Sequence, residues 1–104
     1  MYKDLTSEEG KYFLYLIDNI SSIEKKFNDT LKNRDFRLKL VLYKEYDSFK
    51  NTFEEKLKEI KKSVDNLDLK NLNIKELEEI SIAINSLINY FEKITESKYV
   101  VDNC

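Results

Sequence analysis

Carboxylates are the side chains of this sequence with the most obvious chemistry, and they occur as adjacent pairs. The pairs are Glu8–Glu9, Glu54–Glu55 and Glu78–Glu79. Neighbours on a helix point about 100° apart, so two members of a pair cannot share a site without residues from elsewhere. Histidine, the commonest general base near neutral pH, is absent. We interpret the pairs as solvated helix surface and predict no catalytic residue.

Neither a metal site nor a cofactor site is predicted. Cys104 is the single cysteine, so the sequence offers no intramolecular disulfide and no cysteine-based metal site. A reactive thiol needs positively charged surroundings, whereas Asp102, two residues before Cys104, is acidic. The Glu-x-x-His motif of di-metal bundles cannot occur without histidine, and no glycine-rich phosphate loop is present. We therefore expect that the protein is not an enzyme.

Composition predicts a single cytoplasmic domain, residues 1–104. A chain of 104 residues buries roughly 60–65% of its unfolded surface on folding, which is enough for one core. No apolar run in the sequence, Leu40–Tyr43 included, approaches the ~20 residues of a membrane span. Residues 1–10 lack the apolar centre of a signal peptide. No membrane partner is expected.

The segment Lys32–Lys44 is the most distinctive charged part of the chain. It contains five basic residues and one acidic residue, a local charge of +4, although the whole chain carries −2. Basic and apolar side chains on one outer face can bind a phosphate backbone, an acidic protein or an apolar groove. The predicted partner-binding residues are Arg34, Phe36, Arg37, Leu40, Val41 and Lys44.

Two alternatives to this binding surface stay open. In the first, Phe36, Leu40 and Val41 pack under the tail or against a dimer mate, which leaves the charges in water. In the second, binding uses an acidic segment, residues 65–79, which has a local charge of −3. The residues of that alternative acidic face are Glu76, Glu78 and Glu79. Carboxylates near a helix N-terminus are also ordinary complements of the helix dipole.

Helical periodicity predicts three long helices. The first begins at Thr6 or Ser7 and runs to about Leu31, and the second runs to about Val64. The third spans Asn73–Thr95, and Asn73 is its predicted N-cap. Its apolar stripe, at spacings of three and four, comprises Leu77, Ile80, Ile84, Leu87, Phe91 and Ile94. The stripe of the second helix comprises Leu42, Tyr46, Phe49, Phe53, Leu57, Ile60 and Val64.

The predicted fold is all-α, an elongated antiparallel three-helix bundle. Residues 33–35 are expected to separate the first two helices, with Asp35 as the cap of the second. Residues 97–104 are expected to fray. The alternative is one continuous helix over residues 7–64 plus a second helix, packed as a dimer. Ile84 and Leu87 are predicted to lie at the centre of the bundle.

These features predict a non-enzymatic protein-interaction module that occupies a surface of a larger protein or ribonucleoprotein. In size and in its abundance of residues with AT-rich codons, the chain resembles small proteins of bacteriophages and mobile elements, anti-CRISPR proteins among them. That resemblance implies an inhibitor of a host or defence enzyme such as a nuclease. The alternatives are a nucleic-acid binder that uses Lys32–Lys44 and a bacteriocin-immunity-type helical bundle. A homodimer is compatible with each.

Overall fold

Four α-helices make up most of the described part of the chain, residues 7–97 of the computed structural model. They are α1 (Glu8–Lys32), α2 (Arg34–Leu42), α3 (Tyr46–Asp65) and α4 (Ile74–Glu92), and a π-helical turn (Lys93–Ser97) follows α4. No strand occurs within residues 7–97. The all-α prediction is therefore confirmed. Fraying was expected for residues 97–104; Ser97 ends the π-helical turn, and residues 98–104 lie outside the described residues.

Asparagine, not aspartate, separates α1 from α2. The Asn33 backbone is extended, and its side-chain oxygen accepts a hydrogen bond from the Phe36 amide at 3.0 Å. Asn33 thus ends α1 and caps α2. The predicted break is present, but Asp35 is a residue of the first turn of α2 and not its cap. The single continuous helix over residues 7–64 is contradicted.

A second break separates α2 from α3, and it has the hydrogen bonds of a Schellman motif. The Lys44 amide donates to the Val41 carbonyl at 3.0 Å. The Glu45 amide donates to the Leu40 carbonyl at 2.8 Å. Lys44 adopts a left-handed φ of 59°, at the position that glycine occupies in most such motifs. The prediction of three helices is wrong because this turn divides the predicted second helix in two.

Replacing Lys44 with glycine is expected to raise the free energy of unfolding by about 0.5–1 kcal/mol. A non-glycine residue pays ~1–2 kcal/mol in this conformation, and glycine offsets part of the gain through its larger entropy loss on folding. Urea denaturation measures the change. Lys44→Ala is the matched control, because it removes the same charge and keeps the Cβ atom. Equal stability of the two variants would contradict the strained turn.

The core lies where α1, α3 and α4 meet. Phe27 near the end of α1 stacks on Phe53 near the start of α3, with ring centroids 3.9 Å apart. Phe91 near the end of α4 lies 5.9 Å from Phe53. Hence α1 and α4 run in the same direction and α3 runs opposite to both. The buried core residues are Leu16, Ile20, Ile23, Phe27, Leu40, Phe49, Phe53, Leu57, Ile60, Leu77, Ile80, Ile84, Leu87 and Phe91.

Helix α4 is the central element of this arrangement, as its apolar stripe predicts. It packs against both α1 and α3, and Ile84 and Leu87 are each only 1% exposed. The predicted burial of these two residues is confirmed. The bundle is elongated, with extents of 53 × 22 × 21 Å. None of the helices in the described residues is long and apolar enough to cross a membrane.

Hydrogen bonds within the α3–α4 connection set the start of α4. The Lys70 amide and the Asn71 side chain donate to the carboxylate of Asp68, at 3.0 and 3.3 Å. These bonds, the Lys70 amide first, lower the pKa of Asp68 below its ordinary value of 3.8. The ionised carboxylate therefore stabilises this turn at neutral pH, and the contribution is lost as the pH falls through the lowered pKa. Asn73 caps α4, as predicted, by accepting from the Lys75 amide at 2.7 Å.

Candidate functional site

The inward face of α2 holds this short helix against the bundle. Leu40 is fully buried, and the half-buried Phe36 packs edge-on against Phe49, with ring centroids 6.2 Å apart. The two anchoring residues are four positions apart and so lie on one side of the helix. The expectation that Leu40 belongs to a partner-binding surface is wrong, because its side chain has no contact with solvent. Phe36 also serves mainly as an anchor.

The outward face of α2 is aliphatic. Leu38, Val41 and Leu42 are 48%, 54% and 79% exposed, and their spacing of i, i+3 and i+4 places them side by side on a helix. Periodicity predicts Leu42 in the core stripe of the second helix. That prediction is wrong, because the turn at residues 43–45 resets the helical phase between α2 and α3.

Basic residues flank these aliphatic side chains at both ends of α2. Arg34 lies one turn before Leu38 on the same face, and Lys44 lies in the turn that follows the helix; both are exposed. The exposed Tyr43 lies between Leu42 and Lys44. We define the α2 surface as Arg34, Leu38, Val41, Leu42, Tyr43 and Lys44. It combines three adjacent aliphatic side chains with a positive charge at each end.

Arg37, a further predicted site residue, is exposed but has a structural contact. Its guanidinium Nη1 donates to the Leu31 carbonyl at 3.2 Å. That carbonyl lies in the last turn of α1, where carbonyl groups have no partner within the helix. Arg37 therefore helps to hold the junction between α1 and α2. Its substitution would disturb the junction as well as the surface charge.

Comparison with known proteins does not indicate a role for the α2 surface. No family model, curated protein or solved structure matches the chain. A function has to be inferred from the surfaces of the chain itself.

The interior of the bundle, over the residues that the structure describes, is formed by apolar side chains. Among the residues whose burial the structure describes, no polar or charged side chain is buried. No group of histidine, cysteine, aspartate and glutamate in the described ranges is placed to hold a metal ion. The features from which a function can be inferred therefore lie on the outside of the bundle.

The acidic residues of the alternative site do not form a single face. All three are exposed, but only Glu76 and Glu79 line a cavity of about 250 Å³ between α3 and α4, and Glu78 does not. A neighbouring depression of about 210 Å³ continues along the same two helices. We call the two together the α3–α4 groove. It is lined by Lys56, Glu59, Ile60, Ser63, Asn66, Leu67, Glu76, Glu79, Ile80, Ala83 and Ser86.

Sequence reasoning missed Leu38 and Leu42 as candidate site residues. Helix α2 carries apolar residues on both faces, so periodicity alone does not say which face is buried. The spacing of Phe36 and Leu40 is one available signal, since an aromatic residue and a leucine four positions apart lie on one side of a helix and can contact each other. The phase of α3, continued backwards through Leu42, instead predicts the wrong buried face for α2.

Proposed function

We propose that this protein is a non-enzymatic interaction module that binds a larger protein through the α2 surface. The observation that carries the proposal is the exposure of Leu38, Val41 and Leu42 as one aliphatic face on a short helix. Aliphatic residues at i, i+3 and i+4 are the usual anchors of a helix that binds in a groove of another protein. Burying them would contribute several kcal/mol of favourable free energy to binding, from which the entropic cost of association is subtracted.

The flanking charges indicate what kind of protein surface fits. Arg34 and Lys44 bracket the aliphatic face, and Lys32–Lys44 as a whole carries +4. The rest of the chain carries −6, since the total is −2. An acidic partner would be attracted to the α2 end of the molecule and repelled by the remainder, which orients the encounter. The matching partner therefore presents an apolar groove rimmed by carboxylates.

The biological setting we propose is inhibition of a host or defence enzyme by a protein of a phage or mobile element. Its support is the small size of the chain and its abundance of residues with AT-rich codons, in which it resembles anti-CRISPR proteins. The exposed α2 surface is compatible with covering part of a nuclease or a ribonucleoprotein. A bacteriocin-immunity protein would also act by binding another protein, so the two roles differ in which partner is bound.

Direct nucleic-acid binding is a second candidate, and the +4 charge of Lys32–Lys44 favours it. Proteins that bind single strands combine such charge with aromatic residues on which bases stack. The α2 surface has one aromatic residue, Tyr43, and three aliphatic ones. This candidate predicts binding that weakens steeply with salt and survives the loss of Leu38 and Leu42. The protein-binding proposal predicts that binding is lost with them.

Leu38→Gln combined with Leu42→Gln is expected to abolish recovery of the partner by affinity capture from bacterial lysate. Glutamine is a good helix former, so α2 should persist while its aliphatic face is lost. The matched control is Leu14→Gln, because Leu14 on α1 is exposed to a similar degree, 46%. Thermal melts of all variants check folding. If the double variant recovers the same proteins in the same yield as the parent, the α2 surface is not the binding site.

A further inference from the structure

The α3–α4 groove has the dimensions of a receptor for a helix like α2. Along α4 the groove extends from Glu76 to Ser86, about 15 Å at 1.5 Å per residue. Helix α2 has nine residues and is thus about 13.5 Å long. One helix of this length therefore fits the groove from end to end.

Part of the lining of the groove is apolar. The larger of its two cavities, of about 250 Å³, is lined by Ile60, Leu67, Ile80 and Ala83 together with four polar or charged side chains. A cavity of ~150 Å³ is sufficient for a benzene-sized group, so the space accommodates the side chain of Leu42 and part of a neighbour. The small side chain of Ala83 contributes to the depth.

The rim of the groove has the opposite charge to the α2 surface. Glu76 and Glu79 border the larger cavity, and Glu59 and Lys56 border the smaller one. Three carboxylates against one ammonium group leave the rim negative. Arg34 and Lys44 would place a positive charge near each end of a helix lying in the groove. Charge complementarity of this kind steers association and fixes the register of the contact.

The α2 helix of one molecule does not reach the groove of the same molecule. Phe36 fixes α2 against Phe49, in the first turn of α3, whereas the groove begins at Lys56 and follows α3 towards its other end. We propose that the groove receives the α2 surface of a second copy of this chain. The contact joins Leu38, Val41 and Leu42 of one copy to the apolar part of the groove lining of the other.

Self-association of this kind would regulate binding to the larger partner, and in that respect the inference rests on the proposed function. The α2 surface cannot occupy a second copy and a larger partner at once, so the two contacts compete. Each copy carries both surfaces, and such a heterologous contact either closes into a dimer or ring or repeats from copy to copy. In each of these cases dilution releases single copies, and their α2 surface is then available to the larger partner.

Sedimentation velocity of the full chain over a range of protein concentrations tests the inference. A thiol reductant is included, because Cys104 could otherwise link two chains covalently. The parent is expected to associate reversibly. Arg34→Glu with Lys44→Glu, and separately Glu76→Lys with Glu79→Lys, should each weaken association by at least about tenfold, because like charges then face each other across the contact.

Mixing the two charge-reversed variants provides the decisive arm of this experiment. Each should be largely monomeric alone, and the mixture should associate, since reversed charges on both sides are again complementary. Circular dichroism melts confirm that each variant is folded. A monomeric parent at the highest concentration, or a mixture that does not associate, overturns the self-association. Neither result affects the capture of a partner that depends on Leu38 and Leu42, so the proposed function is tested separately.

Discussion

Phe53→Ala is expected to lower the free energy of unfolding by about 3–5 kcal/mol, the range for truncating a buried phenylalanine. Phe53 is fully buried, stacks on Phe27 of α1 at 3.9 Å between ring centroids, and lies 5.9 Å from Phe91 of α4. Its removal opens a cavity where three helices meet, and no neighbouring side chain can fill the space without moving a helix. Urea denaturation followed by circular dichroism measures the loss.

An exposed aromatic residue provides the matched control for this substitution. Tyr15 on α1 is 60% exposed, so Tyr15→Ala should change the free energy of unfolding by no more than ~0.5 kcal/mol. The contrast separates loss of packing from loss of an aromatic ring as such. A loss below ~1 kcal/mol for Phe53→Ala would mean that α1, α3 and α4 do not share a close-packed core.

The strongly periodic parts of the fold could be predicted from the sequence. Helix α4 has a broad apolar stripe and an asparagine cap, and the structure contains both. The stripe is wide enough to face two neighbouring helices. Asn73 accepts a hydrogen bond from an amide in the first turn of its own helix, which is a local signal. The burial of Ile84 and Leu87 followed from the same periodicity. The break near residue 33 was also anticipated, although the capping residue was misassigned from Asn33 to Asp35.

The turn between α2 and α3 could not be predicted, because its sequence lacks the usual signal. A Schellman motif normally has glycine in the left-handed position, and here Lys44 occupies it. Without this break the phase of α3 extends back through Leu42, which exchanges the two faces of α2. Leu40 was therefore expected outside and Leu42 inside, the reverse of what the structure shows.

The α3–α4 groove also lay beyond the reach of the sequence. Its carboxylates Glu76 and Glu79 were identified as a charged segment, but Glu59 and Ile60 on its opposite side come from a different helix. Local charge shows that a segment is acidic, whereas the shape of a groove depends on how two helices pack. The separation of Glu78 from the other two, by contrast, follows from helical spacing, because Glu76 and Glu79 are three positions apart and share one side of α4.

Arg34→Glu combined with Lys44→Glu is expected to weaken binding to the captured partner by at least tenfold, or ~1.4 kcal/mol. The pair brackets the aliphatic face, so its reversal places negative charge at both ends of the contact. Arg37 is left unchanged, because its bond to the Leu31 carbonyl supports the α1–α2 junction. Both substituted residues are exposed, and stability should change by no more than ~0.5 kcal/mol apart from any effect at the turn.

Lys11→Glu combined with Lys26→Glu controls for total charge. Lys11 and Lys26 are exposed on α1. This variant has the same net charge as the α2 variant, but its two reversed charges lie on a different helix. If binding depends on overall charge alone, the two variants should lose affinity equally. If it depends on the α2 surface, the α1 variant should retain most of the parent's affinity.

The most direct test of whether the α2 surface binds an acidic, apolar protein site is the association rate constant for the purified partner. It is measured as a function of salt for the parent, the α2 variant and the α1 variant. Salt should slow association of the parent and of the α1 variant, because opposite charges steer the encounter. The α2 variant should associate more slowly at low salt and lose that dependence. A folded α2 variant that binds at the parent's rate, with the parent's salt dependence, would contradict the assignment and leave the α2 surface as solvated exterior.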